Sequence, residues 1–292
     1  MNKLDNAKRS QILSMLVEGS SMRSISRVCD VSINTVAKLI ADAGKACAAF
    51  HDAHCRGVKA KRIQCDEIWS FTYAKQKNVA AAKAAPDEAG DTWTWTGIDA
   101  DSKLIVSWLV GGRDAQYALE FMADLKSRLT DRVQLTTDGH RAYLQAVAST
   151  FGEDVDYAQL VKIYGNAPES AKGRYSPAEC TGTKKTGYIG NPLNKDVNTS
   201  YVERQNLTMR MSMRRFTRLT NGFSKKLESH CDALALYFFH YNWCRIHKTL
   251  RVTPAMAAGI SQTVLGWDTI LTAIDAAYQP KPRGQYKKRD IK

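Results

Sequence analysis

No two of the seven cysteines stand in Cys-x-x-Cys spacing, and an odd number spread from Cys29 to Cys244 does not make a disulfide framework. The expectation is free thiols in a reducing compartment. The segment His51-Asp-Ala-His54-Cys55 carries zinc-ligand residue types, but no second cluster follows at finger spacing, so it reads as a solvated connector. Long hydrophobic runs are also missing. No stretch of about 18 apolar residues occurs, and no signal pattern marks the N-terminus; the most apolar segment, residues 233–243, is short and holds His240 and Asn242. Negative charge is scarce as well: 29 Asp and Glu face 42 Lys and Arg, a formal net charge of +13. That imbalance favours a polyanionic partner, nucleic acid before an anionic membrane surface. A soluble, intracellular protein is expected. Its 292 residues, 44% of them hydrophobic, suffice for one large domain or two.

The chain opens on helical periodicity. Ile12, Leu13 and Leu16 share a face, Gly19-Ser20-Ser21 interrupts, and Ser24, Ile25, Val28 and Cys29 form a second short helix. After Asp30-Val31, Ser32 or Asn34 caps a third helix with Val36, Leu39 and Ile40. Three short helices with a tight turn before the last resemble a helix-turn-helix over residues 1–50, with Ser32, Asn34, Thr35 and Lys38 on the exposed side of the recognition helix. A helical bundle without a ligand has the same pattern. Residues 51–62 read as a basic linker.

From Ile63 onward the pattern turns to strands: Ile63 to Trp69, the alternating Thr92 to Thr96, and Leu104 to Val110, the last two joined by the turn Asp99-Ala-Asp101-Ser. Asp114 caps a helix through Leu125. A strand Val133 to Thr137 follows, ending at Asp138-Gly139, then a helix through Tyr143 and Val147 and a short strand at Tyr157 to Ile163. This order is that of a ribonuclease H-like α/β fold, a mixed sheet flanked by helices. The stretch Gly165 to Val197 has no period and reads as a mobile flap bearing Lys172, Arg174, Lys184 and Lys185, or as disorder. A long helix is expected from Ser200 to about Arg218 and another from Ser224 to about Arg245, the latter with a core stripe of Leu227, Cys231, Leu234, Phe238 and Tyr241. The catalytic core would span residues 63–250. Residues 251–292 would supply a C-terminal helix and a basic tail, with the arm from Pro280 disordered.

Three acids stand out by context. Asp66 lies within a strand, where a carboxylate is disfavoured without a partner or a metal. Asp138 ends a strand, where both ligand-binding and ordinary turn residues gather. Glu203 completes Ser200-x-x-Glu203, a capping-box pattern, yet on a continuous helix it shares a face with Arg210 and Arg214. Hard divalent cations are held by such carboxylate clusters collected from distant parts of a chain.

Cys-Asp66-Glu-Ile-Trp69, Thr-Asp138-Gly-His-Arg-Ala-Tyr143 and Glu203-Arg-Gln-Asn206-Leu-Thr-Met-Arg210 resemble the successive motifs of bacterial DDE transposases, closest to the insertion-sequence-one family. Tyr241-Asn-Trp-Cys-Arg-Ile-His247-Lys248-Thr-Leu250, with Thr253-Pro254, is similar to the segment that closes such cores. The resemblance covers roughly residues 63–258. It implies that Asp66, Asp138 and Glu203 are catalytic and hold two Mg²⁺ or Mn²⁺ ions, and that double-stranded DNA, as terminal inverted repeats and target, is the substrate. It implies cleavage and strand transfer by a homo-oligomer in the bacterial cytoplasm, associated with the nucleoid. Arg204, Arg210, Arg214, Arg215, Arg218, His247 and Lys248 are the candidates for DNA contacts, against the reading of a solvated basic face. The Cys-based N-terminal zinc module of short family members has no counterpart here. A non-transposing nuclease of the same fold, or a DNA-binding regulator without catalysis, are the alternatives.

Overall fold

The computed structural model describes residues 3–165, 180–217 and 221–278. Three helices open the chain: α1 (Asn6–Val17), α2 (Met22–Cys29) and α3 (Ile33–His54). Their starts follow from side-chain caps, with Asp5, Ser21 and Ser32 accepting from the amides of Lys8, Ser24 and Asn34. Asp30, in the left-handed region at φ 50°, makes the turn between α2 and α3.

Contrary to the expected division, α3 is long and runs through residue 50 into the segment read as a linker. His51 and Cys55 are buried, and His51 Nε2 lies 3.1 Å from the carbonyl oxygen of Val106. The solvated-connector reading is therefore wrong. Burial pushes the His51 imidazole down to about 4, so it is a neutral core group. Small residues make this possible: a Cβ on Gly44 would stand 2.5 Å from Asp232 Cα, which marks how closely α3 crosses the later helix α7 (Leu227–Phe239).

The centre is a six-stranded mixed sheet of β1 (Arg62–Thr72), β2 (Gly90–Asp99), β3 (Ile105–Gly111), β4 (Gln134–Thr137), β5 (Asp156–Tyr164) and β6 (Cys180–Ile189), in the order β3-β2-β1-β4-β5-β6. The β1–β4 and β4–β5 pairs are parallel and the rest antiparallel. This α/β architecture is compatible with a ribonuclease H-like core. Helices α4 (Ala115–Arg128), capped by Asp114 as expected, and α5 (Ala142–Phe151) cover one face through Phe121, Leu125, Tyr143 and Val147. The other face, with Ile68, Ile98 and Ile105, lies under α6 (Ser200–Ser212) and α7 through Val202, Met209, Leu234 and Phe238. The Asp99 turn is also as expected: its carboxylate accepts from the amides of Asp101 and Ser102.

Several expectations change. β6 lies inside the stretch expected to be aperiodic; its Thr, Lys and Gly residues leave it an exposed edge strand without a buried apolar face. Lys184 and Lys185 sit on it, and the Lys185 ammonium donates to the Asn194 carbonyl at 2.8 Å. Lys172 and Arg174, with the rest of residues 166–179 of the expected flap, lie outside the described residues. Helix α6 ends at Ser212 because Met213 turns to extended backbone and, with Phe216, enters the core. Arg214 and Arg215 fall in a following short 3-10 turn. Helix α7 starts at Leu227 and widens into a π turn at His240–Cys244. It is buried on two sides: Leu234, Phe238 and Tyr241 meet the sheet, while Ala235, Leu236 and Phe239 meet the α3 side. Leu227 and Cys231 are only half-buried.

Two helices, α8 (Pro254–Ala257) and α9 (Trp267–Ala277), end the described chain. Helix α9 docks on α1, where Trp267 Nε1 donates to Ser14 Oγ and Arg9 to Asp275, both at 2.9 Å. The basic arm from Pro280 and the side chain of Arg218 lie outside the described residues. All seven cysteines are free. Among the described residues no helix is long and apolar enough to cross a membrane.

Candidate active site

Strand β1 outruns its parallel neighbour. Pairing with β4 stops at Cys65–Thr137, while β1 continues to Thr72, so from Asp66 onward the β4-side edge of β1 is open. Asp138 follows the last residue of β4 and sits in that opening, the crevice beyond strand carboxyl ends where α/β sheets bind ligands. Adjacent strand residues point to opposite faces, yet at this open edge Asp66 and Glu67 both reach Asp138. Carboxylate oxygens of Asp66, Glu67 and Asp138 lie within 4.8 Å of one another. Gly139 belongs to the geometry, since a Cβ there would be 2.8 Å from Val161 Cγ2 on β5. Gln159 on β5 fixes the same turn by donating to the His140 carbonyl at 3.1 Å.

Glu67 is the residue that sequence reading passed over. It sits beside Asp66 in the motif, but adjacent strand residues alternate faces, so nothing local indicates that both acids reach one site. Its carboxylate is nearly inaccessible; Oε2 receives Arg113 Nη2 at 3.3 Å, and the Tyr143 hydroxyl hydrogen-bonds to the same carboxylate. Asn206 Oδ1, beside Asp66, is buried and has no hydrogen-bond partner. Orphaned buried polar atoms are uncommon and destabilising, so this one points to a ligand.

The third expected acid arrives on α6. That helix is tied to β1 by Gln64, whose buried side-chain oxygen accepts from the amides of Tyr201 and Val202 at 2.9 and 3.2 Å. The Ser200 capping box does not form. Glu203 instead accepts from Thr199 Oγ1 at 2.7 Å and from the Lys162 ammonium on β5. One turn on, Asn206 Nδ2 donates to Asp66 Oδ2 at 2.8 Å. Glu203 lines the same cleft as the other three acids but stands outside their tight cluster.

The cleft has a volume of about 920 Å³, and Arg113, Arg141, Lys162 and Arg210 line it together with the acids. Burial lifts the Asp66 carboxyl to about 7, with the Asp138 and Glu203 charges adding to it, against the Glu67 amide and Asn206. Burial lifts Glu67 to about 8, with Asp138 the next cause. Clustered carboxylates cannot all ionise in such a place without a counter-charge.

No protein-family model matches the chain, and no curated protein matches it. What the cleft can do follows from its own atoms. Hard carboxylate oxygens clustered within 4.8 Å of one another fit a hard cation such as Mg²⁺ or Mn²⁺. The cations around them fit phosphate oxygens.

The other expected DNA contacts scatter. Arg210 lines the cleft; Arg204 is exposed on α6 and is not part of its wall. Arg214 is exposed on the 3-10 turn, off the Glu203 face, because the helix has ended. Arg215 turns inward to donate to Ser224 Oγ, beside His230, and is not placed for phosphate. His247 lies near Lys103, away from the cleft, its imidazole pushed down by burial; Lys248 is exposed. In the N-terminal helices Ser32 and Asn34 are exposed, Thr35 is half-buried, and exposed Lys38 pairs with Asp42 at 2.5 Å. The structure thus brings together Asp66, Asp138, Glu203 and Arg210 from the expected set and adds Glu67, Arg113, Arg141 and Lys162.

Proposed function

We propose that this chain is a metal-dependent DNA transposase with a ribonuclease H-like core, cleaving transposon ends and joining them to target DNA. The observation that carries the reading is the cluster of half-buried Asp66, buried Glu67 and half-buried Asp138 in a cleft lined by Glu203 and four cations. Asp66, Asp138 and Glu203 are the ligand set implied by the family resemblance, and Glu67 supplies a fourth carboxylate. These four carboxylates would hold the divalent cations, which would supply Lewis acidity to the phosphoryl transfer.

The chain's own residues then have definite tasks. Asn206 holds the Asp66 carboxylate through Oδ2 while the Glu67 amide donates to Oδ1, so its orientation is fixed from both sides. Arg113, Lys162, Arg141 and Arg210 receive the phosphate oxygens, so that DNA replaces the internal partners that Arg113 and Lys162 now hold. At the transposon end, a water oxygen attacks phosphorus and the P–O3′ bond breaks, leaving a 5′-phosphate and a free 3′-hydroxyl. In strand transfer that hydroxyl attacks a target phosphate, gives up its proton, and displaces the target's own 3′ oxygen. The helices α1 to α3 act as a helix-turn-helix that reads the terminal repeat, with Ser32, Asn34, Thr35 and Lys38 towards DNA.

The substrate for the test is the DNA flanking the gene on both sides, where this reading expects short inverted repeats. Asp66→Asn and Glu67→Gln should each abolish Mg²⁺-dependent cleavage and strand transfer while leaving end binding within about threefold, because they remove acceptor charge rather than cations. Cleavage surviving Asp66→Asn sinks the reading. Cleavage without any joining selects the nuclease alternative, and end binding without cleavage by the unaltered chain selects the regulator.

A further inference from the structure

Tryptophan in a central strand normally lies under a helix, and Trp95 does: it is fully buried against Phe121 and Tyr143. Two residues back along β2, Trp93 is only half-covered, because β1 and β2 extend past α4 and α5. Trp69 is its direct partner across the ladder, also half-covered. Phe71 follows on the same face, 5.8 Å from Trp69 between ring centres, and Phe223 continues the row at 5.0 Å from Phe71. The row is joined to the cleft by one side chain. The Arg113 guanidinium stands 4.6 Å from the Trp93 ring centre while its Nη2 reaches Glu67 at 3.3 Å and Asp138 at 3.8 Å. At the other end a hollow of about 390 Å³ opens beside Trp69, lined by Lys75, Gln76, Lys77 and Asp91, with the Lys75 ammonium 5.9 Å from the Trp69 ring centre.

We infer that Trp93, Trp69 and Phe71 form a stacking platform for unpaired bases of DNA, continuous with the active-site cleft. Half-exposed aromatic rings interleaved with Arg113, Lys75 and Lys77 offer the two contacts a single strand needs: flat faces for bases and cations for the backbone. Paired DNA hides its base faces inside the duplex. The occupant is therefore a strand whose bases have come apart, the frayed end next to the scissile phosphate. Asp91 does not oppose this charge pattern freely, since its Oδ1 accepts from the Gln76 amide at 3.0 Å. The inference deepens the proposed function and rests on it for the identity of the strand as a transposon end.

The test uses the full chain in EDTA, so that catalysis plays no part, with a labelled oligo-dT of about 12 nucleotides, within the usual single-strand site size, and a blunt duplex of equal length, followed by fluorescence anisotropy. Replacing both Trp69 and Trp93 with Ala should weaken oligo-dT binding about tenfold or more and leave duplex binding unchanged. Trp→Phe at the same positions should keep single-strand affinity within about threefold, as a ring still stacks, which separates stacking from a folding defect. The inference is overturned by an unchanged oligo-dT affinity in the Ala variant, by an equal loss on both DNAs, or by an oligomer falling to a smaller species with single-strand binding intact, which would make the row a contact between copies. Should the unaltered chain fail to cleave terminal repeats while oligo-dT binding still depends on Trp69 and Trp93, the platform stands and the transposase reading falls.

Discussion

Replacing Asp66 with Asn, an isostere that cannot ionise, should change stability in a pH- and metal-dependent way. In the folded chain without metal the Asp66 carboxyl sits at about 7, against an ordinary 3.8. A raised carboxyl means that the folded state holds the proton more tightly. Its contribution is fully present below about pH 4 and is lost as pH climbs to about 7. About three pKa units correspond to roughly 4 kcal/mol, an upper bound because Asp66 and Glu67 titrate as a coupled pair. The difference in melting temperature between Asp66→Asn and the unaltered chain should therefore be small at pH 4. It should widen in favour of the variant by pH 8, by at most roughly 8 to 15 °C at about 2–4 °C per kcal/mol. Taking the difference cancels the opposite trend from His51 and His230, whose imidazoles burial pushes down to about 4 and about 3. Metal should narrow the gap. At 100 times its dissociation constant a cation bound only to the folded state adds about 2.7 kcal/mol, so Mg²⁺ or Mn²⁺ should raise the melting point of the unaltered chain at pH 8 by several degrees and that of the variant far less. Differential scanning fluorimetry measures both. A gap that stays constant from pH 4 to 8, or an equal metal shift in both proteins, refutes the buried-cluster argument.

Gln64→Leu leaves the amides of Tyr201 and Val202 without their acceptor at the start of α6. It should cost about 1–3 kcal/mol in chemical denaturation, and cleavage should fall more than DNA binding because Glu203 loses its anchor to β1. Gly44→Ala puts a Cβ 2.5 Å from Asp232 Cα at the α3–α7 crossing; overpacking of this kind costs about 1–3 kcal/mol, and a melting point unchanged by the substitution would show that the helices slide apart freely. Arg113→Ala removes the cation shared by Glu67 and Asp138. Kinetics on terminal-repeat DNA should show slower cleavage, partly restored by Lys.

Much of the architecture was legible from local rules. Caps at Ser32 and Asp114, the Asp99 turn and the order of strands and helices through β5 depend on near neighbours and on periodicity, and they stand where expected. The failures share a cause in packing. β6 has no apolar alternation, since it is an exposed edge that exists because β5 offers hydrogen bonds. Helix α6 stops early because Met213 and Phe216 are drawn into the core, which also removes Arg214 from the Glu203 face. His51 and Cys55 looked solvated only because the groups that cover them, the β3 backbone and Trp243, lie far along the chain.

The amino-acid sequence by itself determined the basic character of this protein, the identities and contexts of Asp66, Asp138 and Glu203, and the local starts of most elements, because charge, capping and period are properties of adjacent residues. Only the tertiary structure decided that Glu67 joins Asp66 and Asp138, that Arg113, Arg141 and Lys162 stand among the acids, and that Arg215 does not. Those facts depend on where β4 ends beside β1 and on which side chains the core takes in. Such distances are set between residues remote in the chain, and no local pattern records them.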